Sequence, residues 1–314
     1  MSWPAGPVVV LAPATSANLG PGFDSLGLAL GLHDRLEVHV RPGDDSATLH
    51  GRWRGAELPD DGPLNGHLLF RALAAGFAAF GDGTQPPGFE LECVSAIPQG
   101  YGLGSSAAAI VACLVGAREL TARRGLPVPA DAELLQLATE IEGHPDNVAA
   151  CLLGGLTIAW GTGREAQAIR LDPRPELAPV LCVPAVPLAT RTARLALPAQ
   201  VPHADAAANA ARSALLIATL TGDRAADPAV LLAATADYLH QPYRAEAMPE
   251  SAALITSLRE AGIAAVVSGA GPSVLALTVS PAEAARVETI AAATSAAWTV
   301  LPLSVDTAGA RLAT

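Results

Sequence analysis

The hydrophobic period of the chain changes abruptly between Phe89 and Leu120, and that change limits the fold most. Phe89–Val94 alternates, with Glu90 and Glu92 facing away from Leu91 and Cys93, as in a half-buried strand. Pro98–Ser106 then carries Gly100, Gly102 and Gly104 at alternate positions and opens into an alanine-rich stretch predicted to be helical to about Leu120. Strand and helix periods interleave elsewhere too. Val8–Ala12 and Gly154–Ala159 read as strands, and Leu36, Val38 and Val40 alternate with Arg35, Glu37 and His39. Asn65–Phe80 and Asp131–Glu142 have helical spacing. A composition shift at Gly161-Thr162-Gly163 and Asp172-Pro173-Arg174-Pro175 predicts a boundary between residues 1–165 and 166–314. Beyond it the pattern gives strands at Val180–Val183, Ala264–Val267, Val274–Val279 and near Trp298–Leu303. Helices are predicted at about 205–221, 228–240, 250–261 and 281–293. Several strand pairs read as antiparallel, so α+β layers are expected rather than a doubly wound parallel sheet.

Composition removes whole classes of chemistry. The 314 residues are 51% hydrophobic and 16% charged, too apolar for disorder and long enough for two domains. Aromatics are only 4%, so the core must come from Ala, Val, Leu and Ile. A net charge of −11 argues against nucleic acid or an anionic membrane as partner. All 19 Lys+Arg residues are arginine. Without lysine there is no Walker-A loop, no protein-kinase strand lysine and no Schiff base. Any phosphate must be held by backbone amides, hydroxyls, arginines and a metal. Cys93, Cys113, Cys151 and Cys182 show no CxxC pairing and read as reduced, buried small hydrophobes. The N-terminus lacks the pattern of a signal peptide, and the longest apolar run, Ala107–Ala117, is shorter than the roughly 20 residues a bilayer span needs. A cytoplasmic location is expected.

Three segments could carry chemistry. In Pro98-Gln99-Gly100-Tyr101-Gly102-Leu103-Gly104-Ser105-Ser106, alternate glycines let the backbone approach a ligand with N–H groups inward. Ser105 and Ser106 lie where a helix dipole favours an anion. The bland alternative is a strand–turn–helix junction with serine as N-cap. The segment also fits a GxGxxA dinucleotide fingerprint, but the acidic residue that motif needs would be Glu119, inside a helix, and that reading loses. Pro13–Asp24 holds Asn18 and Asp24 on either side of a Gly-Pro-Gly turn, suited to a small polar ligand or to a self-stabilising Asx-turn. Glu142-Gly143-His144-Pro145-Asp146-Asn147 supplies a carboxylate for Mg²⁺ and polar groups that either cap the next helix or reach a substrate. Arg194 and Arg244 can each bind a carboxylate or phosphate bidentately, or be plain surface charges.

Taken together, these loops and the C-terminal Gly269-Ala270-Gly271-Pro272-Ser273 resemble the GHMP small-molecule kinase superfamily, and within it the branch that phosphorylates homoserine. Thr190-x-x-Ala193-Arg194 and Gln241-Pro242-Tyr243-Arg244 also fit, and the match spans nearly the whole chain. Ala150 departs from an expected proline. The resemblance implies an N-terminal domain like ribosomal protein S5 domain 2, a C-terminal ferredoxin-like domain, and Mg²⁺- and ATP-dependent phosphorylation of the side-chain hydroxyl of L-homoserine, a step toward threonine. It implies that Pro98, Gln99, Gly100, Tyr101, Gly102, Leu103, Gly104, Ser105 and Ser106 cradle the ATP phosphates, with Asn65 near the base. Ser106 and Glu142 would hold Mg²⁺. Asn18, Asp24, His144, Asn147, Thr190, Arg194 and Arg244 would line the homoserine pocket, with Asn18 and Asp24 holding the reacting hydroxyl and Asp146 a candidate general base. A homodimer is a further expectation from the resemblance. The competing readings are a kinase for another small alcohol and a catalytically silent ligand-binding relative.

Overall fold

The computed structural model describes Trp3 and residues 6–41, 47–53, 56–57, 67–83, 88–188, 190–222 and 227–313. The large sheet is built from β1 (Val8–Ala17), β2 (Leu26–Val40), β3 (Ala47–Trp53), β4 (Ala56–Glu57), β5 (Phe89–Ser95), β6 (Leu156–Trp160) and β7 (Gln167–Leu171). Its ladders are antiparallel except for β3 on β5. β1 runs five residues beyond the predicted Val8–Ala12 because Ala14–Ala17 pairs with Gly27–Leu30 after a register shift at Pro13/Ala14. The glycine- and proline-rich segment is therefore a loop only from Asn18 onward.

Against this sheet pack α1 (Leu68–Phe80), α2 (Ser105–Arg123), α3 (Asp131–Glu142) and α4 (Pro145–Leu153). α2 and α4 touch β1 and β2, while α1 and α3 flank α2. Alanine and glycine make this close: a Cβ on Gly76 of α1 would sit 2.6 Å from the Ala117 Cβ of α2. Ile110, Val111, Leu114, Val115 and Leu120 of α2 are buried, each worth about 1.5–3 kcal/mol relative to exposure. α2 is long and apolar enough by length and composition to cross a membrane, yet most of its surface is spent on this core.

The small sheet contains β8 (Ala178–Pro184), β9 (Ala265–Val267), β10 (Val274–Thr278) and β11 (Trp298–Pro302), in the order β11-β8-β10-β9, all antiparallel. Between β8 and β9 come α5 (Thr190–Leu195), α6 (His203–Thr221), α7 (Pro228–Ala234), α8 (Gln241–Arg244) and α9 (Pro249–Glu260); α10 (Pro281–Ala293) joins β10 to β11. A βαββαβ chain in the spatial order 4-1-3-2 is the ferredoxin-like arrangement. β8, β9 and β10 are almost continuously apolar because both faces are covered, whereas the edge strand β11 is half exposed. Val180, Cys182, Val274 and Ala276 share a core with Leu254, Leu258, Val287 and Ala291, whereas Leu181, Val183, Leu275 and Leu277 join the larger core with Leu216, Leu220 and Leu231. The helix predicted over 228–240 stops at Ala234. There Arg259 donates to Leu232 C=O and Thr235 Oγ1, closing the helix C-terminus, and Asp237 redirects the chain.

Two segments lie across the compositional boundary. β7, just past it, pairs with β6, and β12 (Arg311–Leu312) returns from the C-terminal end to pair with β1. Asp306 anchors that return. Burial alone would raise its pKa, but hydrogen bonds from His33, the Gly309 N–H, Arg311 and the Ala308 N–H hold it well below the usual 3.8. A carboxylate with a lowered folded pKa contributes stability that is present above its unfolded pKa and lost as pH falls through the folded value. Asp306→Asn should therefore cost about 2–3 kcal/mol in urea unfolding at neutral pH. That difference should shrink in strong acid, and a pH-independent difference would contradict the assignment.

Candidate active site

A cavity of about 620 Å³ opens where the three glycine loops meet the α3–α4 elbow and the α5 and α8 segments. The alternate-glycine loop runs along its wall in an unusual state. The Gly100 carbonyl accepts from Leu188 N–H (2.9 Å), Tyr101 from Ser273 N–H (3.3 Å), Leu103 from Thr15 N–H (3.0 Å) and Gly104 from Ala108 N–H (2.8 Å). Gly102 C=O accepts from Ser268 Oγ (2.7 Å). Every carbonyl from 100 to 104 is thus turned outward and satisfied, while the N–H groups of residues 100–107 have no acceptor among the described residues. A row of unpaired amides beside a cavity is an anion-binding concavity.

The helix start adds to it. The N-cap of α2 is Gly104, at φ 66°, which has no side chain to cap with, so Ser105 and Ser106 fall on the first helical positions and the first-turn amides remain unpaired. The simple serine N-cap is thereby excluded. Glycine is required here for space as well as conformation: a Cβ on Gly104 would lie 1.9 Å from Thr15 Oγ1.

Ser106 Oγ donates to Glu142 Oε2 at 2.6 Å across this end of the cavity. Glu142 is the last residue of α3, whose final turn carries no basic residue, so its carboxylate sits against the negative end of the helix dipole. No group of three or more His, Cys, Asp or Glu among the described residues could hold a metal alone. One carboxylate and one hydroxyl facing an anion cradle fit Mg²⁺, which keeps most of its shell as water and phosphate oxygen.

Gly143 (φ 97°) breaks α3, and His144 and Pro145 start α4. Asp146, 1% exposed, accepts through Oδ1 from His144 Nδ1 (2.7 Å) and from Asn147 N–H (2.8 Å) and Nδ2 (3.3 Å). The hydrogen bond to Asp146 raises the His144 pKa against the opposing effect of burial. Asn147 Oδ1 in turn accepts from Thr15 Oγ1 at 2.8 Å. Asn18, at φ 70°, is a clasp and not a local Asx-turn: Oδ1 accepts from Asp24 N–H (2.9 Å) and Nδ2 donates to Gly269 C=O (2.7 Å). Arg194 meets Asp24 bidentately at 3.0 and 3.3 Å, both side chains partly exposed. Arg244 is no surface charge: it is 1% exposed, donating to Ala193 C=O (3.1 Å) and Gly269 C=O (3.4 Å). Burial and neighbouring Arg194 push its pKa down, though a guanidinium stays charged.

Most residues singled out from the sequence line this one cavity: Asn18, Asp24, the loop except Tyr101, Glu142, His144, Asp146, Asn147, Arg194 and Arg244. The Tyr101 side chain leaves it, donating to Ala185 C=O at 3.1 Å. Thr190 opens α5, and only its backbone is described. Asn65 lies outside the described residues. Sequence reasoning missed His67 and Asp34, which also line the cavity. Asp34 Oδ1 accepts from Ser95 Oγ and the Ala96 and Ile97 N–H groups at 2.8–2.9 Å, tethering the approach to the glycine loop. Burial outweighs those bonds and raises its pKa. A signal was available, since Asp34 falls on the inward phase of the Leu36–Val38 alternation, where an acid needs buried partners.

The GHMP kinases N terminal domain family matches residues 67–155, and the GHMP kinases C terminal family residues 218–296. A homoserine kinase of Streptomyces coelicolor is 52% identical over 307 residues, covering 98% of this chain and 94% of the relative. The chain belongs to the homoserine kinase family. Another member, from Clavibacter michiganensis subsp. michiganensis, is 50% identical over 96% of this chain and 92% of its own. The crystal structure of homoserine kinase from Cytophaga hutchinsonii superposes with a TM-score of 0.84 at 25% identity, covering 98% and 97% of the two chains. The two-domain GHMP fold expected from the loops is thus the fold of the homoserine kinase family.

Proposed function

We propose that the protein is an ATP-dependent kinase that transfers the γ-phosphoryl group to the side-chain hydroxyl of L-homoserine, giving O-phospho-L-homoserine and ADP. The observation carrying this reading is the cavity-lining loop whose carbonyls from 100 to 104 are all satisfied by protein donors and whose amides from 100 to 107 have no acceptor among the described residues, a lysine-free seat for a triphosphate. Residues 98–106 bind the phosphates. Ser106 and Glu142 would hold Mg²⁺, which would offset charge on the phosphate oxygens.

The acceptor end suits a zwitterion. Asp24 pairs with Arg194, and an exposed pair of this kind is worth only about 0–1 kcal/mol, so opening it to a substrate costs little. An amino acid supplies one charge to each partner: its ammonium group to Asp24, its carboxylate to Arg194 and Arg244. Asn18, expected from the sequence to hold the reacting hydroxyl with Asp24, instead holds the Asp24 turn, because its amide is engaged by Asp24 N–H and Gly269 C=O, and Asn147 and His144 border the path between acceptor and phosphate. The hydroxyl oxygen bonds to the γ-phosphorus as the bond to the bridging oxygen breaks, and ADP leaves. Positioning and charge stabilisation supply most of the catalysis in such a transfer.

Asp146, with Oδ1 already accepting from three nitrogens, suits the positioning of His144 and Asn147 better than proton abstraction. The hydroxyl proton passes instead to an oxygen of the transferred phosphoryl group. Asp146→Asn should then reduce turnover less than about tenfold, whereas a loss of ~10²–10⁴ would establish it as the general base.

An ADP-release assay with a panel of amino alcohols tests the whole reading. Homoserine should be the preferred acceptor and alcohols lacking a carboxylate should be poor. Equal turnover of the latter would favour a kinase for another small alcohol, and no turnover at all a silent relative. The same reading places the enzyme in the cytoplasm, with its nucleotide and amino-acid substrates.

A further inference from the structure

His240 is completely buried beside the acceptor end of the cavity, and no step above uses it. It occupies the N-cap of α8, four residues before Arg244, in a turn that Asp237 fixes by accepting from the Leu239, His240 and Gln241 N–H groups at 2.7–3.2 Å. Its ring bridges two parts of the site. Nε2 lies 2.8 Å from Gly20 C=O, and Nδ1 lies 3.2 Å from Arg244 Nη1. A guanidinium can only donate, so Nδ1 must present its lone pair. A carbonyl can only accept, so Nε2 must carry the hydrogen. Asp237 Oδ2, 3.3 Å from Nε2, likewise calls for a hydrogen there; these neighbours select the Nε2–H tautomer, and burial, which outweighs the Asp237 charge and lowers the His240 pKa, keeps it neutral.

The consequence falls on Arg244. Nε is spent on Ala193 C=O, and Nη1 on His240 and Gly269 C=O, leaving Nη2 as the amino group without a partner among the described residues. Phe23 is stacked on His240 with centroids 5.1 Å apart and has the Arg244 guanidinium 5.4 Å from its ring, so the same imidazole also braces the Gly20–Asp24 turn. Asn209 holds that turn from α6, donating to Pro21 C=O at 2.7 Å.

We propose that His240 is a positioning residue for acceptor specificity: by accepting from Arg244 Nη1 as a neutral Nε2–H imidazole, it aims Nη2 at the substrate carboxylate. The proposal rests on the assignment of Arg244 to that carboxylate. Two variants separate the ring's roles. Glutamine places its amide near Nε2 and loses the acceptor to Arg244; asparagine places its amide near Nδ1 and can keep it.

His240→Gln should raise the KM for homoserine by about tenfold or more, the usual effect of losing one hydrogen bond to a charged group. The KM for ATP and the inhibition constant of 3-aminopropan-1-ol, which is homoserine without its carboxylate, should stay within about twofold, and His240→Asn should keep the homoserine KM within about threefold of the native value. An unchanged homoserine KM in His240→Gln, or parallel weakening of 3-aminopropan-1-ol, would overturn the proposal. Arg244→Ala, measured alongside, separates the two levels. If it leaves the homoserine KM unchanged, the carboxylate assignment has failed and the proposal with it; if it raises that KM while His240→Gln does not, only the proposal fails. Should either His240 variant not fold, histidine ¹⁵N spectra of the intact native protein decide, because an Nδ1–H tautomer for His240 contradicts the mechanism directly.

Discussion

Glu142→Gln should lower kcat/KM for Mg·ATP by about 10²–10³-fold without loosening the fold. Glutamine keeps an oxygen that can accept from Ser106 Oγ, now 2.6 Å from the carboxylate, so the local contact survives and only the charge is removed. The charge stands at the C-terminal end of α3, where the helix dipole opposes it. Thermal stability should therefore hold or rise slightly as activity falls. The Mg²⁺ concentration for half-maximal rate should rise as well. Full activity with an unchanged Mg²⁺ requirement would remove Glu142 from the metal site. Ser106→Ala should be milder, about tenfold, since water can replace a neutral hydroxyl at a hydrated cation.

Gly102→Ala should abolish most turnover, by more than about 10²-fold, and should also lower the melting temperature. Its φ of 73° carries the left-handed penalty, about 1–2 kcal/mol for a residue with a Cβ. The larger effect is contact. The added carbon would stand 2.1 Å from the Ser268 carbonyl oxygen and 2.8 Å from the Gly271 nitrogen, and backbone atoms cannot rotate away. The alternate-glycine loop and the C-terminal glycine loop would have to part, breaking the bonds that hold the carbonyls of residues 101 and 102 to Ser273 and Ser268. Gly262→Ala is the control: φ there is 81° with nothing within 4 Å of the added carbon, so it should cost about 1 kcal/mol of stability and leave kinetics alone. Equal kinetic effects from the two substitutions would mean that the packing between the loops is irrelevant to catalysis.

Local periodicity located most elements because each pattern reports a nearby environment. Phe89–Ser95, Asp131–Glu142 and Pro281–Ala293 fall where the alternation or the helical spacing placed them. β7 escaped notice because its residues are mostly exposed and carry little apolar pattern. The alanine-rich spacing over 228–240 runs past the observed end at Ala234 because it contains no local stop; the end is made from α9, where Arg259 donates to Leu232 C=O and Thr235 Oγ1, contacts that are distant in sequence. At the site, glycine spacing revealed the cradle. Neither Asp34 nor His240 stood out, since a single acid in a strand or a single histidine in a turn becomes informative only when its partners are known.

The residues alone determined the kind of chemistry available. Without lysine, any phosphate had to be held by backbone amides, hydroxyls, arginines and a metal, and alternate glycines marked where amides could come close to a ligand. They could not determine which way the amides point. That orientation depends on acceptors and donors far away in the chain: Thr15, Leu188, Ser268 and Ser273 each claim one carbonyl of the loop. The same holds for Arg244, whose burial and free amino group follow from Ala193, His240 and Gly269. Hydrogen-bond direction is set by the group on the other side, and only the folded chain brings that group within about 3 Å.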